Sequence, residues 1–141
     1  MIEPCFFADE VSGDFEAAVR LGVEAGARAI ELRGGIWGRA VQNCTDEDVA
    51  RMKDVLAAHG ARVAVIGSPV GKCDLENEGE YRQHLQWFGR MCELAHEFRT
   101  QVIRGFAFWN PLQSERDRPD LSLYLGIGPC QRRLGLLSRL H

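Results

Sequence analysis

Along the chain, short apolar runs alternate with longer stretches in which apolar residues recur every three or four positions. That is the pattern of strands followed by amphipathic helices. Cys5-Phe6-Phe7-Ala8 is a first short run, with Asp9-Glu10 directly behind it. Ser12-Gly13-Asp14 supplies capping residues for a helix whose stripe is Phe15, Ala18, Val19 and Val23, and Gly26 is its natural stop. A second strand is predicted at Ala29–Arg33. Thr45 caps the next helix, Asp46, Glu47 and Asp48 fill its first turn, and Val49, Met52, Val55 and Leu56 face inward up to Gly60. The β-branched run Arg62–Ile66 then stops at Gly67-Ser68-Pro69. A third helix is predicted from about Glu78 to Phe98, with Tyr81, Leu85, Phe88 and Cys92 on one stripe that His84, Trp87, Met91, Leu94 and Phe98 widen. The fourth strand is Gln101–Phe108, with Trp109-Asn110-Pro111 behind it.

The order β-α-β-α-β-α-β predicts an α/β fold of parallel strands joined by right-handed crossovers. A polar or glycine-bearing loop follows each strand, as in an active face built from βα loops. Glu31 and Arg33 stand out. A strand covered on both faces reads as a continuous hydrophobic run, yet these two charges sit near the end of one and share a face. Two readings are open: they face a site, or they form a rim ion pair that only satisfies itself.

Composition adds constraints. The 141 residues suit one domain with a sizeable core. Net charge is −3 without a basic tract, which gives no argument for nucleic acid or an anionic membrane surface. No apolar run approaches the ~18 residues of a membrane span, and Met1-Ile2-Glu3-Pro4 lacks the basic start of a signal peptide. A cytoplasmic protein is the default expectation. Cys5, Cys44, Cys73, Cys92 and Cys130 include no CxxC pair and read as reduced packing thiols.

The charge balance shifts along the chain. Residues 1–110 hold 12 Lys+Arg against 17 Asp+Glu, while residues 111–141 hold 5 against 3. Arg118-Pro119-Asp120 looks like a helix start that Gly126, Gly128 and Pro129 stop after about two turns. Cys130–His141 carries four leucines and three arginines, a short basic amphipathic segment suited to packing on a domain or partner. The expected organisation is therefore a repeat region over 1–113 and a divergent tail over 114–141.

Phe7-Ala8-Asp9-Glu10-Val11-Ser12, Ala29-Ile30-Glu31-Leu32-Arg33, Gly67-Ser68-Pro69 and Arg104-Gly105-Phe106 together resemble the strand-end motifs of the xylose isomerase-like TIM-barrel superfamily, and within it the sugar phosphate isomerase/epimerase group. The resemblance covers about residues 5–112. It implies a partial TIM barrel, about four βα units forming the N-terminal half of a (β/α)₈ cylinder. It also implies a divalent metal (Mn²⁺ or Mg²⁺) that polarises substrate oxygens while carboxylates move a proton at the adjacent carbon. The substrate class is a sugar or sugar phosphate. The rim residues it carries over are Glu31 and Arg33 at the second strand, Ser68 and Lys72 in the third loop, and Arg104 and Trp109 at the fourth strand. Arg33, Lys72 and Arg104 would meet anionic or hydroxyl groups, and Trp109 would stack on a sugar face. The competing reading pairs Arg33 and Arg104 with Glu31 or Asp9, because an inward charge needs a partner.

The family's metal ligands and acid–base carboxylates lie mainly on strands five to eight, beyond the four units read here, so no metal ligand and no catalytic base are assigned. The expectation is a truncated sugar isomerase/epimerase-like protein with weak or no activity by itself. The alternatives are a non-catalytic carbohydrate-binding or oligomerisation module, and a separate flavodoxin-like domain binding an anion. Four units cannot close an eight-stranded barrel, so Phe6, Ala64, Ile66 and Phe106 are candidate inward residues, and self-association through the sheet edges, giving a homo-oligomer, is expected. The i, i+4 pair Cys92 and His96 reads as packing, as does His84. Gly34-Gly35-Ile36-Trp37-Gly38 lacks the spacing of a dinucleotide loop.

Overall fold

The computed structural model describes residues 3–74 and 77–107. Trp109 and the tail 114–141 lie outside the described residues, as does the boundary between repeats and tail. The chain divides into two compact units: Met1–Ser68 with Arg90–Arg104, and Pro69–Gly89 with Gly105–His141.

The first unit holds one sheet of four parallel strands in the order β1-β2-β3-β4: β1 at Cys5–Phe7, β2 at Ala29–Leu32, β3 at Arg62–Gly67 and β4 at Ile103–Arg104. Sequential strands lie side by side, which is the α/β arrangement of a partial TIM barrel. Between the strands come α1 (Ala8–Val11), α2 (Phe15–Glu24), α3 (Asp46–His59) and α4 (Glu78–Glu97), the last beginning in the second unit and ending in the first.

The helix boundaries follow their caps. Asp14 accepts from the Ala17 amide at 2.9 Å and starts α2. Thr45 and Asp48 form a reciprocal capping box, Thr45 N to Asp48 Oδ2 at 2.9 Å and Asp48 N to Thr45 Oγ1 at 3.2 Å. Gly60 ends α3 in the left-handed region (φ 61°). Arg28, just ahead of β2, donates to the exposed carbonyls of His59 and Gly60 at 3.2 Å each, where a cation also meets the negative end of the helix dipole.

The two faces of the sheet differ. Phe6, Ile30 and Val63 are neighbours in the ladder, as are Leu32, Ile66 and Ile103. Ile30, Leu32 and Ile66 are fully buried, together with Phe15, Ala18 and Val19 of α2 and Met52 of α3. Phe6 reaches α2 itself. A Cβ on Gly22 would lie 2.1 Å from the Phe6 ring, so the glycine makes room for it. Phe6 and Ile66 thus belong to the helix-covered face, not to the interior face for which they were candidates. For Ile66 the alternation fails because the β2–β3 register slips between Ile30 and Glu31 and passes over Ala64, which moves Val65 beside Glu31, whereas Phe6 simply shares the face of Ile30 in an unbroken β1–β2 register. The opposite face carries Phe7, Glu31 and Val65 in one row and Gly67 beside Arg104 in the next.

Two short elements depart from expectation. A single turn of helix, α1, follows β1 where the sequence predicts only a polar loop. The fourth strand keeps just Ile103 and Arg104. In the second unit the Phe106 amide donates to Val70 O at 2.8 Å, so that part of the chain is held by a loop and not by a ladder. Phe106 is exposed.

Candidate functional site

The candidate site of the first unit is the cluster of charges on the face opposite the helices, at the C-terminal ends of β1 to β4. In open parallel sheets this is where ligands bind. Glu31 leaves β2 half-buried and accepts from Arg104 Nε of β4 at 2.6 Å. β3 lies between those two strands, and adjacent strands stand about 4.8 Å apart. The pair therefore spans β3, and it does so over Gly67. A Cβ at that position would lie 2.7 Å from Glu31 Oε1, 3.0 Å from Arg104 Nη2 and 3.2 Å from Arg33 Cβ. The absence of a side chain on β3 creates the crossing point.

Arg33 points the other way. Its Nε and Nη2 both reach Asp9 Oδ2, at 3.0 and 2.9 Å, and Nη2 also reaches Glu10 Oε1 at 2.9 Å. The hydrogen bond to Asp9, then the one to Glu10, holds the guanidinium proton more tightly than usual. Asp9 and Glu10 owe their position to α1, which turns the chain as soon as β1 ends. Gly35 adopts φ 64°, and a Cβ there would sit 2.9 Å from Asp9 Cα and Cβ, so the paired glycines let the β2 loop close on Asp9. Asp9 Oδ1 is buried and takes no hydrogen bond among the described residues. Phe7 completes the cluster, with Arg33 Cζ 4.5 Å and Arg104 Cζ 6.0 Å from its ring centroid.

Of the residues carried over from the resemblance, Glu31, Arg33 and Arg104 come together here. Ser68 is buried next to them, but its hydroxyl donates to the Arg104 carbonyl at 2.8 Å and its amide reaches the same oxygen at 3.1 Å, so it pins β4 to β3. Lys72 belongs to the second unit, where its Nζ stands 5.3 Å from the Phe106 ring. The sequence offers Asp9 only as a possible ion-pair partner and does not single out Glu10 or Phe7 as site residues. The signal available for them was the abrupt change from Phe6-Phe7-Ala8 to Asp9-Glu10 at a strand end.

The glycine-rich loop after β2 has a packing role. Ile36 and Arg39 bridge in a tight turn, with Trp37 at φ 47° and Gly38 at φ 81°. Trp37 meets Phe15 edge-on at 5.6 Å and lies under Arg51 at 3.8 Å. Arg39 pairs with Asp48 of the α3 cap.

No three His, Cys, Asp or Glu side chains converge as a metal-binding group among the described residues. Asp9 and Glu10 engage Arg33, and Glu31 engages Arg104. That donor set is matched to guanidinium and does not fit a divalent cation. Among the described residues no helix is long and apolar enough to cross a membrane.

No protein-family model and no curated protein matches the sequence. Among solved structures the chain is similar to one described as a xylose isomerase-like TIM barrel protein from Mycobacterium smegmatis in complex with magnesium. The TM-score is 0.66 at 15% identity, and the likeness covers 98% of this chain and 50% of that one. The chain thus spans about half the length of the structure it matches, and over that span it has the fold of a xylose isomerase-like TIM barrel.

Proposed function

We propose that the chain is a sugar isomerase/epimerase-like protein that engages a sugar or sugar phosphate through the strand-end rim of Glu31, Arg33 and Arg104. By itself it has weak or no activity. The observation that carries this reading is the charged, half-buried cluster at the strand ends of a xylose isomerase-like sheet. Arg33 donates its Nη1 hydrogens to hydroxyl oxygens, the carboxylates use their remaining lone pairs to accept from hydroxyls, and Phe7 offers an apolar surface between them. A divalent cation, when present in such a fold, supplies Lewis acidity toward a carbonyl. The rim carboxylates Asp9, Glu10 and Glu31 are already held by arginines, so no proton transfer is assigned to them. We place the protein in the cytoplasm, a reading that the free thiols of Cys5, Cys44 and Cys92 support.

One observation favours a second reading, that of a non-catalytic carbohydrate-binding or oligomerisation module: Asp9, Glu10 and Glu31 are all engaged by guanidinium. An isomerase assay with Mn²⁺ on the 141-residue chain, beside an intact longer homologue, separates the two. Turnover by this chain that needs metal supports an enzyme, and sugar binding indifferent to metal supports the module. Self-association through the sheet edges belongs to both readings. Light scattering that finds a strict monomer removes it.

A further inference from the structure

The loop after β3 holds a device that the strand-end rim does not use. Residues 69–72 close as a tight turn within the second unit, the Lys72 amide donating to the Pro69 carbonyl at 2.9 Å. Gly71 stands at φ 81°, the left-handed third position of a type II turn. A Cβ there would also lie 1.9 Å from the Phe106 carbonyl oxygen, so the site demands glycine twice over. The turn's own hydrogen bond uses the Lys72 amide and leaves the buried Gly71 amide to find a partner elsewhere. That partner is His84 of α4, whose Nδ1 accepts from it at 3.2 Å. His84 is itself buried, and its ring packs on Trp87 with 4.7 Å between centroids.

That bond exists in one protonation state alone. A neutral imidazole with a bare Nδ1 accepts, whereas imidazolium carries a proton on both nitrogens and would set one donor against another. A buried amide without an acceptor is costly, so either the turn leaves or the proton stays off. The groups around the ring set the balance. Burial disfavours the charged form, while Glu80, one turn earlier on α4, and the Pro69 carbonyl favour it. Glu80 is held in place by the Asp74 amide and by Asn77 Nδ2, at 3.0 Å each. The turn contributes Lys72, with Cys73 and Asp74 just beyond it, and residues 105–107 contribute no titratable side chain. We infer that His84 is an acid-sensitive latch: its protonation expels the Gly71 amide and releases the turn at 69–72 from α4 in a local opening, ahead of the unfolding of the chain.

The test is amide hydrogen exchange of the full 141-residue chain, followed by NMR from about pH 7.5 down to about pH 5. The reference is the Ile66 amide, which donates to the Val102 carbonyl at 2.9 Å. The expected result is a Gly71 amide less protected than Ile66 at every pH. Its protection should fall by about tenfold per pH unit below 6.5 and level off where His84 titrates in the folded chain. His84→Gln keeps an acceptor but gains no proton, so its Gly71 profile should be flat. Equal protection of Gly71 and Ile66 means that the turn is freed only when the whole chain unfolds, and it overturns the inference. An unchanged profile in His84→Gln does the same. If that variant does not fold, the His84 ring resonances of the wild-type chain decide. A fall in Gly71 protection that levels off away from the ring's own midpoint belongs to another group, and the latch is refuted.

Discussion

Arg33 and Arg104 sit on the same half-buried face, and each is held there by a different kind of partner. Arg104 has Glu31, with 13% of its side chain exposed, at 2.6 Å. Arg33 has Asp9 and the exposed Glu10. A hydrogen bond to a charged group that is partly withdrawn from water contributes about 2 kcal/mol, whereas exposed ion pairs contribute little. Glu31→Gln is therefore expected to destabilise the chain by about 2 kcal/mol, and Glu10→Gln by much less, in urea unfolding monitored by circular dichroism. Equal effects of the two would contradict the burial argument. The anomaly of Glu31 and Arg33 was legible in the sequence, because charges near the end of an otherwise apolar strand are conspicuous. Their partners were not. Glu31 meets Arg104 across an intervening strand, and only the register of three strands decides which side chains share that row.

At the scale of single elements, local chemistry was a good guide wherever an element carries its own caps. The stripe Val49, Met52, Val55 and Leu56 is buried as read, and Thr45 and Gly60 bound α3. Thr45→Ala removes one half of the reciprocal cap and should cost about 1 kcal/mol, seen as a lower thermal midpoint, while Thr45→Ser should restore most of it. No shift on Thr45→Ala would mean that tertiary packing alone fixes the start of this helix. The elements that escaped the sequence are those defined by their neighbours. Ala8–Val11 is too short to show a period, and it has no side-chain cap. Gln101–Phe108 looks like a full strand, but Thr100 bonds the Ala64 carbonyl at its start and Phe106 turns to Val70 at its end, leaving two residues in the ladder.

For the molecule as a whole, the order of repeats made the parallel sheet readable, while the slip between β2 and β3 hid which apolar residues face which side. A pH response is also built into the second unit. His84 is buried, accepts from the Gly71 amide through Nδ1 at 3.2 Å and packs on Trp87 at 4.7 Å, with the Glu80 carboxylate and the Pro69 carbonyl as its other polar neighbours. Burial lowers its pKa below 6.5, against the opposing pull of Glu80 and Pro69. The unfolded chain then binds the proton first, so stability is complete above pH 6.5 and falls as pH drops through the lower folded value. Thermal unfolding on either side of that pH should show the loss in the wild-type chain and a flatter response in His84→Gln; parallel profiles would rule His84 out. The bare backbone of Gly67 carries a consequence for how this sheet can change over time. Positions 31, 67 and 104 are far apart in sequence yet occupy one volume, so a methyl group at 67 must push the ends of the Glu31 and Arg104 side chains aside and strain their ion pair. Gly67→Ala should be costly alone and nearly harmless after Glu31→Ala, a coupling on the order of 1–3 kcal/mol in a double-mutant cycle. The cost of a change at any one of the three sites therefore depends on what already occupies the other two.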